Sequence, residues 1–229
     1  ENLTLTSSDR YQFILPYFRY DTVLKNNLGS INFYLNGNNI LQNTNNLRTR
    51  IINDINFSSM DFLSSKTGFK SNFNIYFKNV NTVAKEDAIY KSSPQSELMN
   101  IFEFNTSYPA IKETANNVEL ITPKVSFRFN PGDMKNHSNT DRSINANNIF
   151  SVNRLSLEDS LESGRSLTFG LDYRNNNVAN NNEMNIKLAS VIRDKIEGPI
   201  PEKTTLNKKR SYIFGSVDAN GAITLGTPY

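Results

Sequence analysis

Along much of the chain, apolar and polar residues alternate one by one. "INFYLN" puts Ile31, Phe33 and Leu35 on one side and Asn32, Tyr34 and Asn36 on the other. "FKSNFNIYFK" sets Phe69, Phe73, Ile75 and Phe77 against Lys70, Asn72, Asn74, Tyr76 and Lys78. "KVSFRFN" sets Val125, Phe127 and Phe129 against Lys124, Ser126, Arg128 and Asn130, and "SLTFGLDY" sets Leu167, Phe169, Leu171 and Tyr173 against Ser166, Thr168, Gly170 and Asp172. Successive side chains of a strand point to opposite faces, so strict alternation predicts strands with one apolar and one wet face. Strands are expected near 11–24, 28–41, 46–58, 68–80, 97–109, 117–130, 164–175, 183–193, 211–218 and 222–229.

Polar clusters separate these runs: "QNTNN" at 42–46, "RNNNVANNN" at 174–182 and "DANG" at 218–221, the last carrying the Asn220-Gly221 pair of a tight hairpin. No helical period is sustained, although a short turn is expected near Asp87–Ser92. Two connections are long, roughly 81–96 and 131–148. Long loops alternating with short turns predict an all-β, antiparallel up-and-down meander of about ten strands, with a long-loop side and a short-turn side. Pro16, inside "YQFILPYFRY", cannot donate to a strand ladder and marks an edge, a bend or a bulge.

Alternation alone fits two architectures. A water-soluble sandwich buries the apolar face between sheets. A membrane barrel turns that face to lipid and lines its lumen with the polar one. Three features favour the barrel. The expected strands are about twice the usual soluble length. Aromatics gather toward strand ends (Tyr11, Tyr17, Phe18, Tyr20; Phe57, Phe62; Phe102, Phe104, Tyr108), as an interfacial girdle requires. The polar faces are Asn, Ser, Thr, Lys and Arg on strand after strand, which suits a wide wet lumen. The absence of Trp weighs against the girdle.

Composition narrows the classes. The chain has 229 residues, 36 of them Asn, with no Cys. Ten Tyr and 15 Phe are too many for a disordered polar chain. The net charge of +3 is small and scattered, which gives no sign of nucleic-acid binding. "NKKR" at 207–210 reads as a solvated turn, with contact to anionic lipid as the sharper reading. Without Cys there is neither a disulfide scaffold nor thiol chemistry. No apolar run approaches a membrane helix, a fact that leaves membrane-spanning strands open. The chain starts at Glu1 rather than Met and ends just after a strand restarts, so residues 1–229 are expected to be one fragment of a longer protein.

Candidate chemistry is sparse. His137, the only histidine, shares a polar loop with Asp133 and Asp141, without a nucleophile motif or an EF-hand spacing beside it. Arg154, Glu158, Asp159, Glu162 and Arg165 crowd into "NRLSLEDSLESGR". Paired carboxylates can perform glycosidase chemistry when two rigid elements hold them apart, whereas these sit in one short, turn-like segment. No phosphate-cradling loop or cofactor motif is present, and a non-enzymatic role with no cofactor is expected.

The same segment carries a resemblance. "NNIFSVNRLSLEDSLESGRSLTFGLDY", 147–173, is similar to a segment of the LptD family, the outer-membrane lipopolysaccharide-assembly or organic-solvent-tolerance proteins. Asn148, Ile149 and Phe150 match an Asn-Leu-Phe-like element. Arg154, Leu155 and Ser156 match an Arg-Phe-Ser-Gly element, with Leu157 in place of the glycine. Asp159 matches an Asp-Arg pair in which Ser160 replaces the Arg. Glu162 and Gly164 flank Ser163, and Gly170, Leu171 and Tyr173 close the match. "YQFILPYFRYDTVL", "LITPKVSFRFNP" and "IRDKIEGPIPEKTTLNKKRSYIFG" agree in order, the last with alphaproteobacterial members. The substitutions at Leu157 and Ser160 leave the role of that turn open.

The resemblance implies the central part of a large transmembrane barrel in a Gram-negative outer membrane. Such a barrel receives lipopolysaccharide from a periplasmic bridge protein, LptA, and is plugged by a lipoprotein, LptE. Asn32, Asn36, Arg48, Arg50, Asn72, Asn74, Lys124 and Arg128 are then expected to face the lumen, touching lipopolysaccharide or the plug, or simply hydrating a pore. Asn148, Phe150, Arg154, Asp159, Glu162 and Gly164 are expected to form a structural loop motif, with Arg154, Asp159 and Glu162 pairing locally. The competing readings are a porin-like channel and a surface β domain for adhesion or glycan binding.

Overall fold

The computed structural model describes residues 12–42, 46–87, 90–177, 179 and 182–220. They form eleven strands: β1 (Gln12–Asn26), β2 (Gly29–Gln42), β3 (Asn46–Ser59), β4 (Phe62–Leu63), β5 (Lys70–Lys85), β6 (Gln95–Ser107), β7 (Ala110–Glu113), β8 (Asn117–Asn130), β9 (Gly164–Asn177), β10 (Asn182–Arg193) and β11 (Phe214–Asn220). All join one antiparallel sheet in the order β1-β2-β3-β5-β6-β8-β9-β10-β11, with β4 on β5 and β7 on β8. Neighbours in the sheet follow chain order, and the sheet is open, ending at β1 and β11. The up-and-down meander is therefore present.

The strands match the alternating runs with local differences. The ladder of β9 and β10 runs into the asparagine cluster, pairing Asn177 with Asn182, so that turn is shorter than 174–182. Amide side chains do not stop the backbone from pairing at a wet strand end. β5 continues to Lys85 because it keeps pairing with β3 as far as Leu47, burying Val80, Thr82 and Ala84 on one face, although "VNTVAK" no longer alternates apolar with polar. β11 starts at Phe214 rather than 211, and the strand expected at 222–229 lies outside the described residues, as does Gly221 of the expected hairpin. Pro16 sits on the edge strand β1, where the register with β2 shifts between Ile14 and Tyr17, a bulge that spares the ladder a missing donor.

Register fixes the faces. Phe129 pairs with Phe102, Phe104 with both Phe73 and Phe127, and Leu171 with Leu188, so these side chains share one face across β5 to β10. Phe73, Phe102, Phe104, Phe127, Phe169, Leu171 and Leu188 are all exposed. Ile75 and Phe129 lie on the same face, half-buried by their neighbours. No second sheet covers it among the described residues. The packed core lies instead on the polar face. Residues 131–163 and 194–213, which follow β8 and β10 at the same end of the sheet, fold back over it. Ile149, Leu155, Leu157, Ile200 and Leu206 bury against Ala189 and Val191. Leu161 buries against Ile52, Tyr76, Val80, Met99 and Ile101.

Candidate functional site: a buried ion cluster under two inserted loops

The polar face is wet only in part, contrary to the wide wet lumen expected from its composition. Beneath the loops, register lines up Glu103 of β6, Arg128 of β8, Ser166 of β9 and Arg193 of β10 in one row. Into that row the first loop lowers Glu162 and Arg154, both buried. Arg154 grips Glu162 through two bonds, Nε to Oε2 at 2.7 Å and Nη2 to Oε1 at 2.5 Å. Its other N–H groups reach Thr168 Oγ1 at 3.0 Å, Ser166 Oγ at 3.1 Å and the Ile149 carbonyl at 3.4 Å. Arg128 donates to Glu162 at 3.3 Å and to Glu103 at 2.7 Å. Arg193 donates to the Glu162 carboxylate and to the Ser163 carbonyl.

One carboxylate thus holds three guanidiniums from the loop, β8 and β10. Burial opposes the charge on Glu162, yet Arg154 first, then Arg128 and Arg193, hold its carboxyl far below the usual range. The Asn130 amide, which donates to the Glu162 carbonyl at 2.9 Å, ties the same turn to the end of β8. Gly164 follows at φ 79°, where a Cβ would collide with the Glu197 carboxylate, so only glycine lets the second loop close against the turn. Ser163 Oγ donates to that carboxylate at 3.3 Å.

The expected local trio divides. Arg154 and Glu162 pair as above, while Asp159 turns away to Tyr90 (3.1 Å), Lys135 (3.5 Å) and His137 Nε2 (3.3 Å). Burial opposes the charge on Asp159, but Lys135 and then His137 lower its pKa overall. Glu158 takes a third direction, to Arg50 at 2.7 Å. The three carboxylates of the segment therefore serve three separate ion pairs rather than facing one another. Asn148 caps its own turn by accepting the Asn145 N–H at 2.9 Å, and Phe150 lies against Gly170 under Lys124, 5.5 Å from its ring.

The eight residues expected on the lumen side share the polar face, in different settings. Arg128 and Arg50 anchor the first loop, and Arg48 binds Asp87 at 2.6 Å. Asn74 donates to Glu103 at 2.8 Å. Asn72 and Lys124, with Asp61, Lys70, Asn105, Ser107 and Phe150, line an open cleft of about 220 Å³. Lys124 pairs there with Asp172, and Asn72 donates to Asp61 at 2.8 Å. Asn36 lines a smaller cleft with Asp54, Lys78 and Asn153, while Asn32 is exposed at the short-turn end.

Glu103, Arg193 and Lys78, all buried, and the half-buried Asp54 are further members of the polar set that single-strand reading passes over. Lys78, also buried, donates to Asp54 at 2.8 Å and to the Glu158 carbonyl at 3.1 Å, a second clamp on the loop. Their one sequence signal is a charged residue at a polar-face position, and only register shows that these charges meet. Among the described residues no group of three or more His, Asp or Glu could hold a metal ion. Asp141 pairs at the surface with Lys203 at 2.9 Å.

The chain matches no protein-family model and no curated protein.

Proposed function

We propose that this chain is a section of the wall of a Gram-negative outer-membrane β-barrel that moves lipopolysaccharide to the outer leaflet by binding and passage, without breaking bonds. The observation that carries the reading is the two-faced sheet: one continuous exposed apolar face, and a polar face partly covered by the chain's own loops. A contiguous apolar face that stays exposed from β5 to β10 calls for an apolar surrounding, and a lipid bilayer supplies one on the outside of a barrel.

The choice of cargo rests on the resemblance of 147–173 to the LptD family. In this reading lipopolysaccharide, a plug lipoprotein such as LptE and a bridge protein such as LptA are the partners. The cleft at Asn72 and Lys124 offers amides and cations that suit sugar hydroxyls and phosphates. A photo-crosslinking residue placed at Asn72 or Lys124 of the full-length protein in cells is expected to capture lipopolysaccharide. The same residue at Phe127 is expected to capture phospholipid or nothing. Inner-face positions that never capture lipopolysaccharide, in a protein that instead admits small solutes, would replace this reading with a porin-like channel.

A further inference from the structure

The outward apolar face does not end alike at its two ends. At the long-loop end, Arg165 pairs across the ladder with Phe129 and holds its guanidinium 5.8 Å from that ring. Arg210 bridges Ile192, so it stands on the same outward face, where Ile192 pairs with Leu167. Close by, Tyr212 is 64% exposed and Ile213 77%, with the Lys208 ammonium 4.9 Å above the Tyr212 ring. Lys208, Lys209 and Arg210 are exposed, and no ion pair joins them to a carboxylate among the described residues. At the opposite end of the same strands the outward residues are amides or paired charges: Asn175 opposite Glu119, Asn177 beside Asn182, and Lys112 4.0 Å from Glu119.

An exposed tyrosine and isoleucine beside unpaired cations, at the edge of a broad apolar surface, form an interfacial composition. The apolar parts enter the acyl boundary while the long cationic stems reach the headgroups. A nucleic acid would find a stacking partner in Tyr212 but gain nothing from Ile213 and the broad apolar face beyond it, whereas a charged bilayer surface matches both parts. On the wall reading above, we infer that Lys208, Lys209 and Arg210, with Tyr212 and Ile213, form a rim that gathers anionic lipid headgroups at the long-loop end of the wall. The "NKKR" stretch is then a membrane contact rather than only a solvated turn.

Tyr212→Trp places an indole reporter at the rim, where residues 1–229 have no Trp of their own, and its signal is read as the difference between this variant and the wild type. The full-length protein carrying it is reconstituted in vesicles of phosphatidylcholine with phosphatidylglycerol, one or the other bearing a headgroup-proximal spin label. Quenching by labelled phosphatidylglycerol is expected to exceed quenching by labelled phosphatidylcholine. The preference should shrink by roughly fivefold for each cation removed, on the order of a hundredfold for Lys208→Gln, Lys209→Gln and Arg210→Gln together. Lys66→Gln with Lys112→Gln, away from the rim, should leave it intact. Equal quenching by both lipids in a protein that does insert would overturn the rim alone, and so would loss of the preference to inorganic phosphate at matched ionic strength. A protein that inserts into neither neutral nor anionic vesicles would overturn the wall reading itself.

Discussion

Glu162 is the residue on which the inserted loop turns. Replacing it with Gln leaves three buried guanidiniums facing one carboxylate, Glu103. Breaking a buried ion cluster from one side costs about 3–5 kcal/mol, and chemical denaturation of Glu162→Gln is expected to show a loss of that order. Protease cleavage within 131–163 should also accelerate, and a variant as stable and as resistant as the wild type would remove the clasp from the account. The pH response has a definite sign. Because the folded pKa of Glu162 lies below its unfolded value, its contribution is fully present above about pH 4–5. It is lost only as pH falls through the depressed folded value. Loop protection measured by hydrogen exchange is therefore expected to be the same at pH 7 and pH 5. A loop that opens between those values would contradict the assignment.

At the scale of elements, the strands were legible because each carries its own period. β8 was expected at 117–130 and spans Asn117–Asn130, since every outward position from Val125 to Phe129 is apolar and every inward one polar. β4 and β7, of two and four residues, are too short to show a period. The loops were harder to read. Residues 131–163 are rich in Asn and Ser, and their apolar members, Ile149, Leu155, Leu157 and Leu161, are spaced without regularity. They find partners only because the polar face holds Ile52, Val80, Ile101, Ala189 and Val191 where the loop lands. The ion cluster was illegible for a related reason. Glu103, Arg128 and Arg193 lie far apart in sequence and meet through the registers of four successive strands. Leu161→Ala is expected to cost about 2–5 kcal/mol by leaving a cavity between loop and sheet. A loss below about 1 kcal/mol would mean that the loop rests on the sheet rather than packing into it.

For the whole molecule, the proposed wall gives the two faces opposite tasks, and each has its own test. On the outward face, Leu171→Lys near the middle of β9 should cost about 2–4 kcal/mol in a bilayer, where a cation at mid-depth is poorly solvated. In water the same exposed position would tolerate lysine at almost no cost. Folding equilibria measured in lipid vesicles separate the two. The most direct test of the central claim reads the whole wall at once. Nitroxide labels are placed singly at Phe73, Phe127, Phe169 and Leu171, and at the inward positions Asn32, Asn72, Lys124 and Asp172, in the full-length protein in lipid bilayers. Collision rates with oxygen, which concentrates in lipid, and with a water-soluble nickel chelate are then compared at each position. The outward set is expected to be oxygen-accessible and shielded from nickel, with a period of two along each strand, and the inward set is not. Nickel access at the outward positions, or burial of the outward set away from both reagents, would contradict a membrane wall.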